Sequence, residues 1–276
     1  MSHAPLPERP DLRLAVVDMD GTLLDGAGQV PDGLWPLLER MREAGVVFAP
    51  ASGRQYATLA AMFARAADGM VFIAENGGYV VRDGQEISAA TLPTSLVTDV
   101  VRRMRALADG GTDLGVVVCG RRTAYVERHD RAFLDHVDPY YASLTEVEDL
   151  LAVDDIAVKV AVFAFGDPTE QVEPALAPLR PDHQVVVSGA HWVDVMDAGV
   201  HKGVAVRRLQ EALGVTAAQT AAFGDYLNDL EMLDEAGLSF AMDNAHPEVL
   251  QRARHRAPAN TDDGVVRTLT TLLDRA

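Results

Sequence analysis

The chain has 276 residues, a formal net charge of −17 and a single cysteine, Cys119. That length leaves room for one large or two medium domains with a substantial core, and one cysteine excludes an internal disulfide and a cysteine-rich zinc site. The acidic balance argues against nucleic acid or an anionic membrane as partner, since those contacts rest on Lys and Arg patches, and no run of about 18 uncharged apolar residues marks a membrane span.

The opening stretch, MSHAPLPERP, is proline-rich, lacks the apolar core of a signal peptide and is expected to fray, so a cytoplasmic enzyme is the expectation. The first element is the apolar run Leu14-Ala15-Val16-Val17, read as a buried parallel strand that delivers Asp18 and Asp20 and then Gly21. On a strand, residues two apart point the same way, roughly 6.5 Å from each other, so both carboxylates are expected to face one spot. Two like charges there are costly unless one is protonated or a cation sits between them, and hard oxygen ligands suit Mg2+. One carboxylate of such a pair can attack as a nucleophile while the other moves a proton. Gly21 lets the backbone turn, and Thr22 can cap the next element. An EF-hand fails on Thr22, Leu23 and Gln29 at its fifth, sixth and twelfth positions. A merely acidic turn stays open for this stretch taken alone, and a glycosidase pair rarely sits two apart on one strand.

Next, Pro31-Asp32 starts a helix carrying Leu34, Leu37, Leu38 and Met41 at helical spacing, which Gly45 stops. Val46 to Ala49 reads as a second buried strand, running into Ala51-Ser52-Gly53-Arg54 and a helix near residues 56–67, which makes a βαβ unit of a doubly wound parallel sheet. Ser52 falls where a strand end and helix start favour an anion, or it simply caps that helix; Arg54 can reach a phosphate or form an exposed ion pair. Met70 to Ala74 is a third strand, and the adjoining Glu75-Asn76-Gly77-Gly78 reads as a structural turn.

From Arg82 the pattern changes. A hairpin turn at Arg82-Asp83-Gly84, a helix with Val97, Val100, Val101, Met104 and Leu107 on one face, five strand-like runs and a helix over about 169–179 read as an inserted α+β domain, residues 82–197. Beyond Val200 the parallel rhythm returns with His201-Lys202-Gly203 and a helix to about Leu213. Lys159 and Lys202 are the only lysines, so the choice of a compact ammonium at Lys202 is informative. Ala221-Ala222-Phe223 is another short strand, and it ends in Gly224-Asp225-Tyr226-Leu227-Asn228-Asp229, a second set of acids at a strand end. Leu238 to Met242 supplies a further strand, and Thr261 to Val265 opens a last helix.

Four stretches, DMDGT at Asp18, ASGR at Ser52, HKG at Lys202 and GDYLND at Asp225, resemble in order and spacing the motifs of the haloacid dehalogenase superfamily. With ENGG at Glu75, AMDNA near Asn244 and the long insert, the whole chain resembles its Cof-type subfamily, IIB, with a C2B cap. The resemblance implies a Rossmann-like α/β core, residues 1–81 and 198–276, with the 82–197 insert as cap. It implies a Mg2+-dependent phosphatase of a small phosphorylated metabolite, such as a sugar phosphate, pyridoxal phosphate or flavin mononucleotide. Asp18 would become an aspartyl phosphate, and Asp20 would protonate the leaving alcohol and then activate water. Mg2+ would be held by Asp18, the Asp20 carbonyl and Asp225, with Asp229 orienting a metal-bound water or Lys202 from behind. Ser52, Gly53, Lys202 and Asn228 would hold the phosphoryl oxygens, and the cap would close over the site and select the leaving group. Two departures, His201 before the lysine and Tyr226 after GD, bear on pocket size. A sugar phosphomutase and a non-catalytic phosphometabolite-binding protein are the alternative readings, although the second is expected to have lost Asp18, Asp20 or Lys202. Oligomeric state has no signature in the chain.

Overall fold

Leu14, Ala15, Val16 and Val17 have no exposed surface and form β1 (Leu14–Asp18), a central strand of an eight-stranded sheet. The structure, a computed structural model, describes residues 8–275. The first seven residues of the stretch expected to fray lie outside the described residues. Burying each Val or Leu of β1 contributes roughly 1.5–3 kcal/mol, enough to specify this run as the middle of the sheet. α1 (Leu34–Glu43) turns Leu34, Leu37, Leu38 and Met41 to the core, and Gly45, at φ 71°, ends it. β2 (Val47–Ala51), α2 (Tyr56–Met62), β3 (Val71–Ala74), β4 (Tyr79–Arg82) and β5 (Gln85–Ala89) come next. α2 stops short of the predicted residue 67, because Phe63 is drawn wholly into the core against Phe48 and Phe72 and the chain turns there. β4 and β5 are joined through Asp83 and Gly84, both with positive φ, at the expected hairpin.

The insert contains α3 (Thr94–Asp109), β6 (Leu114–Gly120), β7 (Ala124–Val126), α4 (Arg131–Val137), β8 (Leu144–Glu146), β9 (Ala157–Ala164), α5 (Pro168–Gln171), α6 (Glu173–Leu176), β10 (His183–Val187) and β11 (Trp192–Asp197). Its six strands run β10-β11-β9-β6-β7-β8, antiparallel except for the β7–β8 pair. One face is covered by apolar residues of α3 and α6, the other by Phe133, Leu134 and Val137 of α4. The helix predicted over 169–179 is broken into short turns, since Pro174 and Pro178 lack the N–H that a continuous helix needs.

The chain then returns through α7 (Lys202–Leu213), β12 (Thr220–Gly224), α8 (Leu230–Asp234), β13 (Leu238–Met242), α9 (Pro247–Arg252), β14 (His255–Ala257) and α10 (Gly264–Arg275). The sheet order is β14-β13-β12-β1-β2-β3-β4-β5, parallel from β14 to β3, with β4 antiparallel to β3. This is an α/β fold with a mostly parallel core sheet and an α+β insert. The chain divides into two compact units, residues 1–88 with 201–276, and residues 89–200. That differs from the 82–197 expected for the insert, because β5 still extends the first sheet, while Gln184 ties the Ala198 and Val200 carbonyls to the insert. No helix among the described residues is long and apolar enough to cross a membrane.

Candidate active site

The order of the core sheet reverses at β1, whose neighbours are β2 on one side and β12 on the other. Register sets Asp18 opposite Ala51 and Val17 opposite Phe223. Asp18 at the end of β1, Ser52 just past β2 and Asp225 just past β12 therefore emerge at one edge, the carboxyl ends where open α/β sheets place their ligands.

Lys202, the first residue of α7, is 1% exposed and reaches back into this edge. Its Nζ donates to Asp18 Oδ1 at 2.5 Å and to Asp229 Oδ1 at 2.7 Å. The second oxygen of Asp229 accepts the backbone N–H groups of Asp225, at 3.0 Å, and Tyr226, at 3.2 Å. With both oxygens engaged, Asp229 fixes the 224–229 loop and the lysine together. Asp225 is anchored by the Thr22 hydroxyl, which donates to its Oδ1 at 3.0 Å. Gly21, at φ 80°, allows this approach, because a Cβ there would collide with the Asp225 carboxylate.

Asp18, Asp225 and Asp229 each bring a carboxylate oxygen within 4.8 Å of the others. Three carboxylates against one ammonium leave surplus negative charge in a buried place, and a divalent cation relieves it. This charge excess and the hard oxygen donors fit Mg2+. Burial, and then repulsion from Asp229, push the Asp18 carboxyl up to about 8 against the pull of Lys202. Asp225 is also raised, chiefly by burial, with the Thr22 bond working the other way. Burial works against the Lys202 charge too, but Asp18 and Asp229 outweigh it and hold the ammonium above its usual range.

The raised Asp18 carboxyl makes the stability of the metal-free protein depend on pH. With its proton affinity raised by folding, Asp18 adds stability below its ordinary value of 3.8, and that contribution is lost as pH rises toward about 8. A cation that needs the ionised carboxylate competes with the same proton. The thermal midpoint without metal is expected to fall across this window, and the increase produced by Mg2+ to grow across it. Thermal-shift measurements from pH 5 to 8.5 at fixed ionic strength check this; a Mg2+ effect independent of pH contradicts it.

The strand geometry expected to aim Asp18 and Asp20 at one spot does not continue past Asp18. β1 ends at Asp18, and residues 19–23 form a helical turn broken at Asp20 and Gly21, so the alternation of a strand does not carry across. The Asp18 side chain is buried while that of Asp20 is 62% exposed. Arg54 grips Asp20 with two bonds, Nη2 to Oδ1 at 2.6 Å and Nε to Oδ2 at 3.1 Å. Arg54, expected as a substrate contact, is thus forked onto the acid.

Ser52 is buried, and its Oγ accepts the Arg54 N–H at 3.2 Å. It does not cap α2, whose N-cap is Gln55, so the junction supplies a tight loop instead of the expected helix start. Gly53 belongs to this loop. Asn228 lies at the same edge, with its Nδ2 3.4 Å from Asn76 Oδ1. His201 accepts the Val204 N–H and so caps α7, and Tyr226 is 57% exposed with its ring against His246.

Three residues of the site escape a reading of the sequence. Thr22 reads there only as a cap, although a hydroxyl two residues past an acid is a usable signal. Asn76 reads as a turn residue. Asn244 donates to the Gly21 carbonyl at 2.7 Å and accepts the Asn260 N–H, pinning the turn after β1, and nothing local marks a bond across 223 residues.

Residues 15–269 match the family model described as haloacid dehalogenase-like hydrolase. Over 265 residues the chain is 32% identical to 5-amino-6-(5-phospho-D-ribitylamino)uracil phosphatase YbjI of Escherichia coli (strain K12), covering 95% of this chain and 96% of that protein. It is 29% identical over 245 residues to HMP-PP phosphatase of Serratia proteamaculans (strain 568), covering 86% of each. A solved haloacid dehalogenase-like hydrolase from Bacteroides thetaiotaomicron shares the fold at a TM-score of 0.83 and 23% identity, over 95% of this chain and 99% of that one.

Proposed function

The chain belongs to the haloacid dehalogenase-like hydrolases, of the Cof type, and we propose that it is a Mg2+-dependent phosphatase of small phosphorylated metabolites working through an aspartyl phosphate on Asp18. The observation that carries this reading is the buried Lys202 clasped between Asp18 and Asp229, with Asp225 alongside. A lone ammonium in that place neutralises a nucleophilic carboxylate and offers its remaining positive field to an incoming phosphoryl group.

Mg2+, held by Asp18, Asp225 and the Asp20 carbonyl, would supply positive charge facing the phosphoryl oxygens. The ionised Asp18 carboxylate attacks phosphorus, forming the acyl phosphate as the ester O–P bond breaks. Asp20, at the exposed lip and held by Arg54, donates its proton to the leaving alcohol oxygen. It then accepts a proton from water, whose oxygen attacks the same phosphorus and releases orthophosphate and free Asp18. Ser52, the Gly53 loop, Lys202 and Asn228 keep the phosphoryl oxygens in place while charge shifts, the positioning work that dominates this chemistry.

For the substrate, the similarity to YbjI supports 5-amino-6-(5-phospho-D-ribitylamino)uracil as the first candidate, with sugar phosphates, pyridoxal phosphate and flavin mononucleotide beside it. Phosphate release should be measured across that panel with Mg2+ and after exhaustive chelation. Release that stops on chelation and returns with Mg2+ is expected; activity surviving metal removal contradicts the metal assignment. Silence across the panel, with an isomer formed from a sugar phosphate, would replace the phosphatase with a mutase.

A further inference from the structure

We propose that Asn76 is a positioning residue of the phosphoryl site, holding the Ser52 loop and Asn228 at a set spacing; this deepens the phosphatase reading and rests on it. Glu75, Asn76 and Gly77 are three consecutive residues at positive φ, 50°, 55° and 98°. The left-handed region favours Gly and tolerates Asn, but it is unfavourable for Glu, so such a run persists only when its surroundings over-determine it.

Those surroundings are the motif loops themselves. The Glu75 N–H donates to the Arg54 carbonyl at 3.1 Å, and the Asn76 N–H to the Ser52 carbonyl at 2.9 Å. A Cβ on Gly77 would stand 2.7 Å from the His201 carbonyl, so this segment also abuts the entry to α7 and hence Lys202. The Asn76 amide sits between the remaining two groups: Nδ2 lies 3.0 Å from where a Cβ on Gly53 would be, and Oδ1 accepts from Asn228 Nδ2 at 3.4 Å.

A glycine at position 76 would satisfy the backbone better than asparagine does. The asparagine is therefore explained by its amide, which fills the gap over Gly53 and aims Asn228. Any displacement of these groups moves the phosphoryl oxygens relative to Asp18.

Asn76→Gly removes the amide and keeps the backbone conformation, so it separates the two roles. With the full chain and Mg2+, KM and the inhibition constant of orthophosphate are expected to rise about tenfold, the scale of one hydrogen bond to a charged group, at an unchanged thermal midpoint. Because Asn76 acts through Asn228, the double variant Asn76→Gly/Asn228→Ala should be little worse than Asn228→Ala alone. Wild-type constants in Asn76→Gly, fully additive losses in the double variant, or an activity loss matched by a fall in thermal midpoint would each overturn the proposal. Should wild type release no phosphate from any substrate, the phosphatase reading falls, while calorimetry with orthophosphate and Mg2+ still decides this one. Weaker binding by Asn76→Gly supports it, and equal binding overturns it.

Discussion

Asp18→Asn is expected to lower turnover by on the order of 10^5-fold while leaving the chain folded, the scale seen when a covalent nucleophile is removed. A carboxamide has the shape of the carboxylate but cannot displace an alkoxide at phosphorus. Its oxygen can still accept the Lys202 ammonium that now sits 2.5 Å from Asp18 Oδ1. Removing the charge also removes the repulsion from Asp229 and Asp225 that, after burial itself, raises the Asp18 carboxyl. Without metal at pH 8, the variant should therefore melt no lower than wild type, and its Mg2+-dependent stabilisation should shrink. Phosphate release on the substrate panel and thermal shifts with and without Mg2+ check both halves. Full activity would remove Asp18 as nucleophile, and a collapsed melting midpoint would make its charge a structural need instead.

Lys202→Ala is expected to be worse for the fold and nearly as bad for catalysis. The ammonium is 1% exposed and is bonded to two acids, Asp18 at 7% and Asp229 at 0% exposure. Deleting one partner of such a cluster leaves uncompensated buried charge and typically costs about 3–5 kcal/mol. The catalytic loss, on the order of 10^3-fold, comes from losing a preorganised cation where phosphoryl charge redistributes. Lys202→Met separates the two effects, since it refills the volume without the charge. It should recover part of the stability at low pH, where the Asp18 carboxyl, pushed up to about 8, holds its proton, and none of the turnover. Denaturant melts at pH 5 and pH 8 beside phosphate release decide this; near-normal catalysis in either variant would mean that another cation holds the phosphoryl group.

Much of the site is legible from residue types at strand ends. Leu14 to Val17 read as a buried strand, which put Asp18, the next residue, at an edge of the sheet, and the structure places it there. Ala221-Ala222-Phe223 marks β12 in the same way and places Asp225. Lys202 stands out because, Lys159 apart, the chain carries arginine, and the structure gives it the buried place between acids that a compact ammonium suits. Short polar elements such as β14 are not legible, because His255-Arg256-Ala257 has no apolar run to announce a strand.

The local sequence determined where strands stop, where the chain turns and which residue types stand at those stops. These are set within a few residues by burial, by proline and by glycine. Which of those residues meet was decided by the tertiary structure. Lys202 reaches Asp18 across 184 positions, Asn244 reaches Gly21 across 223, and Arg54 takes Asp20 because β1 and β2 are neighbours. The one local rule applied across a strand end, the alternation that was to aim Asp18 and Asp20 at one spot, does not hold there, because alternation depends on an extended backbone and the backbone coils immediately after Asp18.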